Sequence, residues 1–374
     1  MQANLANVLS QGLWDLFYYN WALISMLCTV ALLIGIPALV LRKYVKIALN
    51  ILDNSPPPLL VGPTDFDLID GRQFTFHSFD GHALSGLLIE GQPARRPRGL
   101  IVFAHEYSSD ANSFARYCRA LLEAGYDVMS FDFRGHGASC HQEGYKPRQW
   151  ASDREQSDML GAIAYAEDYL ERHGRPKELG LFGISRGGCA AILAAVDLPS
   201  VKAIVTDGAF STDTTIEYFM KRWATIFARV RVVAESHPPS FWRFLRWLLL
   251  RAGRRKLGCR FPSVRKALQR LDDRAIFLIH GQRDGFIPVS QSQMLYEVAG
   301  GPKYLWIVPG AKHNQSAIVQ PEAYGQRLVR FFDEHLAHQT DDPLQPDSLS
   351  DLAQPLAEHR PVHKMKRVRT GGRL

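Results

Sequence analysis

The sequence predicts an α/β domain with a mostly parallel central sheet, preceded by one apolar helix. Short apolar runs such as 179–182, 275–280 and 304–308 alternate with helix-like segments, which is the pattern of βα units. Polar residues that could take part in catalysis directly follow several of these runs. They would lie at the strand ends, where ligands bind in open α/β sheets. An uncharged segment near the start of the chain predicts the separate helix.

A Gly-x-Ser-x-Gly motif occupies residues 183–187, directly after the first of these runs. A helix rich in small residues is predicted over 186–196, so the motif forms a tight turn between strand and helix. Gly183 and Gly187 permit this turn because they lack Cβ atoms. The turn would hold the Ser185 hydroxyl at a helix N-terminus, where N–H groups favour developing negative charge. The alternative is a small-residue turn at a packed junction.

Two further polar residues follow predicted strands, first Asp284 and then His313. Ser…Asp…His is the chain order of a catalytic triad built on such a serine turn. In a triad, His313 would take the Ser185 hydroxyl proton, while Asp284 would orient the imidazole and stabilise the imidazolium. Alone, an Asp before Gly is an ordinary turn residue and a loop His is ordinarily solvated. Their order and their positions at strand ends favour the triad.

With these motifs the sequence resembles the α/β-hydrolase superfamily, most closely its membrane-anchored serine esterase, lipase and peptidase-like branch. The resemblance extends over roughly residues 70–337 and rests also on segments 99–105, 128–139, 203–209 and 280–284. It implies a sheet with helices on both faces, a helical cap insertion, and acyl transfer through an acyl-enzyme that normally ends on water.

The oxyanion loop departs from the superfamily pattern, because His105 is followed by Glu106 rather than by glycine. The resemblance implies oxyanion N–H groups from Arg186, the residue after the nucleophile, and from Tyr107, with Glu106 as the next candidate. Each such donor contributes about 2.7–4 kcal/mol to transition-state stabilisation. A glutamate at this position resembles the His-Glu loop of the dienelactone-hydrolase-like branch. The Glu106 side chain would either lie near Ser185 and tune its reactivity or point to solvent.

Other titratable residues are assigned lesser roles. Asp207 also follows a predicted strand and is the alternative acid to Asp284. No zinc-type Cys/His spacing and no G-x-G-x-x-G motif occurs, so we expect no metal or nucleotide cofactor. Structural roles in a turn or at the start of a helix running to about residue 172 are predicted for Asp132, His136, Asp153, Glu155 and Asp158.

Residues 21–41 predict a transmembrane helix, because no charge occurs between Asp15 and Arg42. As a helix this run would be about 31 Å long, enough for the hydrocarbon core of a bilayer. The alternatives are a buried core helix and a cleaved signal peptide, although a signal peptide ordinarily opens with basic residues. Aromatic residues suited to an interfacial belt are Trp14, Phe17, Tyr18, Tyr19 and Trp21.

Basic residues follow this segment and none precedes it. The positive-inside rule applied to Arg42, Lys43 and Lys46 places the N-terminus outside and the hydrolase domain in the cytoplasm. The predicted organisation is an N-terminal segment (1–20), the single membrane helix (21–41), a linker (42–69), the hydrolase domain (70–337) with a cap insertion at about 212–272, and a disordered tail (338–374).

The predicted cap is strongly basic. From Ser236 to Leu271 the chain contains ten Lys or Arg and no Asp or Glu, and segment 241–256 interleaves aromatic with basic residues. This segment is either a basic amphipathic helix on an anionic leaflet or a cap helix with its bases in water, and both can hold. Charge alone fits nucleic-acid binding, and no nucleic-acid partner is predicted.

Together these features predict a membrane-anchored serine hydrolase that cleaves carboxylic ester or thioester bonds of a hydrophobic acyl substrate. The preference for hydrophobic acyl groups depends on the anchor and the basic cap, through which the protein would also contact membrane lipids. A peptidase or an acyltransferase would use the same Ser185, Asp284 and His313. A catalytically silent membrane scaffold is the alternative from a different class, and a complete triad argues against it.

Overall fold

A computed structural model describes residue 14 and residues 18–54, 69–92, 97–227, 237–271 and 273–337. Most of the predicted N-terminal segment, much of the predicted linker, part of the predicted cap and the predicted disordered tail lie outside these residues. The chain divides into two compact units, which are Met1–Pro56 with Ile216–Arg260 and Pro57–Thr215 with Phe261–Leu374.

Eight strands form one sheet within the second unit. The strands are β1 (Arg72–His77), β2 (Ala83–Ile89), β3 (Leu100–Ala104), β4 (Asp127–Phe131), β5 (Leu179–Ile184), β6 (Val201–Asp207), β7 (Ala275–Gly281) and β8 (Lys303–Val308). Their order across the sheet is β1-β2-β4-β3-β5-β6-β7-β8. Strand β2 is antiparallel to β1 and β4, and the strands from β4 through β8 in this order pair in parallel. The predicted mostly parallel sheet is therefore confirmed.

The helices are numbered in chain order. They are α1 (residues 18–54, with a π-helical segment at Ala31–Gly35), α2 (Phe114–Tyr117), α3 (Arg119–Glu123), α4 (Asp153–Arg172), α5 (Arg186–Ala195), α6 (Thr212–Phe227), α7 (Pro239–Leu257), α8 (Val264–Leu268), α9 (Ser290–Val298), α10 (Ser316–Val319) and α11 (Pro321–His335). The predicted helices after Gly183–Gly187 and up to residue 172 correspond to α5 and α4.

The hydrophobic core follows the central strands. Every residue of β3, β5 and β7 is buried, which explains why these strands read as continuous apolar runs rather than alternating ones. Aromatic rings fill the space beside them, as where Phe103 meets Phe182 edge-on at 5.4 Å between ring centroids. Burying each such side chain contributes about 1.5–3 kcal/mol.

The register brings the carboxyl ends of neighbouring strands to one edge of the sheet. Ile184 pairs with Asp207, and Asp207 pairs in turn with Ile279 of β7. Gly281 at the end of β7 pairs with Val308 at the end of β8. The loops that leave β5, β6, β7 and β8 therefore begin side by side.

Among the described residues of the first unit, one helix is long and apolar enough to cross a membrane, over Tyr18–Asn50. Helix α1 does not end at residue 41, where the linker was predicted to begin, but continues to Asn54. The added segment contains no Pro or Gly, and the first such residue after it is Pro56, so nothing interrupts the helix at its charged end. Within this unit, Asp53 near the end of α1 lies 3.7 Å from Lys256 near the end of α7.

Candidate active site

The turn between β5 and α5 holds Ser185 in a strained conformation. Its φ of 51° and ψ of −114° lie outside the favoured regions for a residue with a side chain. Neighbouring glycines are required by close packing. A Cβ on Gly187 would lie 2.6 Å from the carbonyl oxygen of His105, and one on Gly183 would lie 2.5 Å from the carbonyl carbon of Gly187. The strand, sharp turn and helix form a nucleophile elbow.

The structure brings Ser185, His313 and Asp284 into one hydrogen-bonded chain. Ser185 Oγ lies 2.9 Å from His313 Nε2, and His313 Nδ1 lies 2.5 Å from Asp284 Oδ2. Ser185 and His313 are 5% and 3% exposed, and the Asp284 side chain is fully buried. With the Nδ1 proton facing the carboxylate, Nε2 is free to accept the serine proton.

The loop after β7 keeps Asp284 ionised. Its Oδ1 accepts hydrogen bonds from the backbone N–H groups of Phe286 at 2.8 Å and Ile287 at 2.7 Å. Burial alone would raise the pKa of Asp284, but the hydrogen bond and charge of His313, then His280 and the Ile287 N–H, outweigh it and lower that pKa. The carboxyl is therefore suited to stabilising a positive imidazolium.

His280 is a neighbour of Asp284 whose side-chain contacts the sequence did not reveal. Its Nε2 lies 3.0 Å from the Ile287 carbonyl oxygen and 3.3 Å from Asp284 Oδ2, and its Nδ1 lies 2.6 Å from Ser292 Oγ. Burial lowers the pKa of His280, so the ring is neutral and donates from Nε2 towards the loop. The His-Gly step before Asp284 was the only available signal.

The two residues named as oxyanion donors contact each other through their side chains. The guanidinium carbon of Arg186 lies 5.3 Å from the centre of the Tyr107 ring and 5.1 Å from that of Phe133. The Tyr107 hydroxyl is 3.4 Å from the carbonyl oxygen of Pro147. The start of α5 and the loop after β3 are thus packed together beside Ser185.

Arg186 carries a buried positive charge beneath the elbow. Its side chain is fully buried, with Nη1 3.0 Å from the Arg148 carbonyl oxygen and 3.6 Å from Glu155 Oε1. Nη2 lies 3.3 Å from His136 Nε2. Burial first, and then the Arg186 charge, lowers the pKa of His136 to about 3, which leaves its ring neutral and able to accept from the guanidinium.

Glu155 does more than complement a helix dipole. It forms the predicted helix's capping box with Ser152, and it also accepts a hydrogen bond from the Tyr145 hydroxyl. Burial would raise the pKa of Glu155, but the Arg186 charge and these donors together lower it. The buried carboxylate therefore neutralises Arg186, the residue after Ser185, a pairing that spacing along the chain did not indicate.

Glu106 does not point to solvent, so that expectation is wrong. It is 2% exposed, with Oε1 3.3 Å from the Tyr117 hydroxyl and Oε2 3.4 Å from the Ser113 hydroxyl. Burial raises the pKa of Glu106. The side chain is buried in the core beside Tyr117, the last residue of α2.

Asp132 and His136 lie within the turn after β4, as predicted for structural residues. Asp132 accepts hydrogen bonds from the backbone N–H groups of Ala111 at 2.6 Å and Ala138 at 2.8 Å. Asp158 of α4 is buried and pairs with Arg134 at 2.6 Å. Both carboxyl groups stabilise the fold through specific partners.

Asp207 lies beside Ser185, but its carboxyl binds neither Ser185 nor His313. Its backbone oxygen accepts from the Ser185 N–H at 2.7 Å. Its carboxyl accepts from the hydroxyls of Ser316 at 3.1 Å and Tyr324 at 3.2 Å. The geometry therefore favours Asp284 rather than Asp207 as the partner of His313. Burial raises the pKa of Asp207 to about 6, against the opposing effects of Ser316, His313 and Tyr324.

Asp207 should make stability depend on pH. Because its folded pKa lies above the ordinary 3.8, the folded state holds this proton more tightly. Its stabilising contribution is complete below about pH 3.8 and is lost as pH rises through about 6, a total of about 3 kcal/mol. We expect the melting temperature of Asp207→Asn to rise relative to that of wild type as the pH increases from about 4 to about 7.5. Asp197→Asn, at an exposed carboxyl, is the control, and a pH-independent difference for Asp207→Asn would contradict this account.

The amino-acid sequence is similar to that of several known proteins. A model of the serine aminopeptidase family S33 matches residues 95–242, which include Ser185 but neither Asp284 nor His313. The YqkD protein of Bacillus subtilis is 26% identical over 274 residues, covering 72% of this chain and 81% of the relative. The YfhR protein of Escherichia coli K12 is 25% identical over 282 residues, covering 74% and 84%.

Solved structures share the fold. The esterase Pf2001 of Pyrococcus furiosus superposes with a TM-score of 0.52 at 23% identity, covering 74% of this chain and 96% of that one. Together with the strand order and the family match, this shows that the chain is a member of the α/β-hydrolase superfamily. The comparisons support a serine-type hydrolase.

Proposed function

We propose that the protein is a membrane-anchored serine hydrolase that cleaves carboxylic ester or thioester bonds of a hydrophobic acyl substrate. The observation that carries this proposal is the hydrogen-bonded chain from Ser185 Oγ through His313 to Asp284 Oδ2. Ser185 lies in a strained turn at the carboxyl edge of the sheet, where a substrate carbonyl can approach the serine.

In the proposed reaction Ser185 Oγ attacks the substrate carbonyl while His313 Nε2 takes the hydroxyl proton. Asp284 stabilises the imidazolium that forms. The N–H groups of Arg186 and Tyr107 donate to the tetrahedral oxyanion. Collapse breaks the bond to the alcohol or thiol, which leaves with the proton from His313. Water then attacks the acyl-serine by the same steps in reverse, releasing the acid and restoring Ser185.

A peptidase is the second candidate, because the matching family model is that of a serine aminopeptidase. An aminopeptidase holds the α-ammonium of its substrate, which calls for an available carboxylate near the nucleophile. Asp207 and Asp284 at this edge, and Glu106 in the adjacent loop, are already engaged by hydroxyl, imidazole and backbone donors. These contacts favour an ester or thioester over a peptide with a free amino terminus.

Helix α1 supports membrane anchoring. Side chains such as Leu33 and Ile34 are 70% and 65% exposed, and a long face of this kind is stable only when lipid or another apolar partner covers it. The basic residues Arg42 and Lys43 follow the span, which favours a catalytic domain in the cytoplasm. A cleaved signal sequence is the competing explanation, and the N-terminal sequence of the mature protein distinguishes the two.

Fluorophosphonate labelling of membrane and soluble fractions tests the proposal. We expect wild type to take the label in the membrane fraction and Ser185→Ala to lose it entirely, because the probe needs an activated serine. Ser290→Ala, at an exposed serine, is the control and should label like wild type. Folded wild-type protein that takes no label would overturn the hydrolase proposal.

Substrate preference follows from a parallel assay. Unlabelled wild-type protein should hydrolyse nitrophenyl esters of medium or long acyl chains faster than aminoacyl nitroanilides. The opposite preference would favour the aminopeptidase. Turnover that requires an added alcohol or amine acceptor would indicate an acyltransferase.

A further inference from the structure

We propose that the outward face of α7 binds the anionic surface of a lipid bilayer, with Phe244 and Trp247 inserted at the interface and neighbouring arginines on lipid phosphates. This inference rests on the proposed membrane anchor and is independent of the proposed chemistry. It concerns a surface of the first unit alone.

Helix α7 has two apolar faces, and only one of them is buried. The inward face carries Trp242, Leu249 and Leu257, which are 7%, 2% and 5% exposed. The outward face carries Phe244 and Trp247, which are 50% and 53% exposed. A helix that serves only to cover a core needs apolar residues on one face. The outward aromatic pair therefore requires a separate explanation.

The aromatic pair is preorganised and surrounded by positive charge. The two rings stack with centroids 6.0 Å apart and an interplanar angle of 23°, and the Arg251 guanidinium carbon lies 5.5 Å from the centre of the Trp247 ring. The helix contains six Lys or Arg and no Asp or Glu. Aromatic and basic residues on one helix face are the composition of an interfacial membrane helix.

Several of these charges are available to a ligand. Arg246 is engaged by Glu217 at 2.7 Å. By contrast, Arg243, Arg254 and Arg255 are exposed, and no described residue supplies a carboxylate to them. Attraction to anionic headgroups lets each such residue increase the binding constant for the membrane surface about fivefold. A zwitterionic surface lacks this attraction, so the charge complementarity selects an anionic leaflet.

The proposed bilayer surface is within reach of α7. The ends of α1 and α7 meet where Asp53 lies 3.7 Å from Lys256, and Asp53 is roughly 18 Å along the helix beyond residue 41. Phe244 is likewise roughly 18 Å along α7 from Lys256. Helix α7 is therefore long enough for its outward face to lie at the level of Arg42 and Lys43, within the unit that contains the anchor.

The test uses the full chain reconstituted into vesicles of phosphatidylcholine, alone or mixed with phosphatidylserine. A bimane probe at Ser240→Cys, in a Cys28→Ser and Cys140→Ser background, lies one turn before Phe244 on the same face. Lipids with a nitroxide headgroup quench a probe at the surface. A bimane probe at Phe79→Cys, between β1 and β2, reports a residue that is 78% exposed but far along the chain from the proposed face.

We expect strong quenching at position 240 in phosphatidylserine vesicles and weak quenching in phosphatidylcholine alone. Raising NaCl from about 0.1 M to about 1 M should reduce it, because the Debye length falls from about 10 Å to about 3 Å. Phe244→Ser with Trp247→Ser should abolish it, and Arg251→Gln should weaken docking about fivefold. Phe79→Ser, the matched exposed aromatic, should leave quenching at 240 unchanged.

Three results would overturn the proposal. One is quenching at 240 that does not depend on phosphatidylserine, and another is quenching that survives loss of both aromatics. The third is crosslinking between copies through position 240 without quenching, which would assign this face to a second copy of the chain. Extraction of the full chain by carbonate would instead refute the anchor. Fluorophosphonate labelling in the same vesicles reports the chemistry separately.

Discussion

Replacing Asp284 by asparagine is expected to lower kcat by about 10⁴-fold while leaving the fold intact. The carboxylate now faces His313 Nδ1 at 2.5 Å and holds the tautomer in which Nε2 can accept the Ser185 proton. An amide nitrogen in that place favours the opposite tautomer, with a proton on Nε2, so the base is lost. The rate of fluorophosphonate labelling and ester turnover measure the effect.

Asp207→Asn is the matched control for this prediction. Asp207 is a buried carboxyl at the end of the neighbouring strand, but its hydrogen bonds go to Ser316 and Tyr324. We expect Asp207→Asn to retain labelling far better than Asp284→Asn. The reverse order would assign the triad acid to Asp207 and contradict the arrangement seen around His313.

Replacing Arg186 by methionine is expected to destabilise the fold by about 3–5 kcal/mol. The change removes the counter-charge 3.6 Å from Glu155 and leaves a fully buried carboxylate beside the Tyr145 and Ser152 hydroxyls. For a domain of this size, that corresponds to a fall in melting temperature of roughly 6–20 °C. Thermal unfolding of the purified full chain in detergent measures it.

The double variant Arg186→Met with Glu155→Gln separates charge from packing. Because it removes both charges, it should recover part of the lost stability. The single-variant loss should also be smaller at about pH 5 than at about pH 8, since burial without the arginine favours protonated Glu155. Arg270→Met, which breaks an exposed pair with Asp197 at 2.7 Å, should cost at most about 1 kcal/mol. Equal losses for Arg186→Met and Arg270→Met would refute a special role for the buried pair.

The sheet and the elbow were predictable because both follow from local patterns. Continuous apolar runs predicted β5 and β7, since strands covered on both faces need no alternation. Glycines around Ser185 predicted the turn, since only they tolerate its close backbone contacts. The uncharged segment likewise predicted a helix able to span a membrane, although its end at Asn54 depended on the absence of a breaker before Pro56.

Which side chains meet was not predictable, because it depends on how the strands order themselves. Asp207 and Asp284 both follow strands; chain order favoured Asp284, but only the fold brings the Asp284 carboxylate to His313. Glu155 sits at a helix start like any dipole-complementing residue, yet the packing of α4 against α5 makes it the counter-ion of Arg186. Glutamate side chains are ordinarily exposed, but the structure buries that of Glu106 beside Tyr117.

The sequence by itself determined the α/β class, the order Ser185, Asp284, His313 and the apolar helix, because hydrophobic period, glycine placement and charge are local properties of the chain. Only the tertiary structure decided that Asp284 faces His313, that Arg186 and Glu155 form a buried pair beneath the elbow, and that α7 leaves Phe244 and Trp247 outward. Those outcomes depend on distances between residues far apart in the chain, which packing sets and local sequence does not encode.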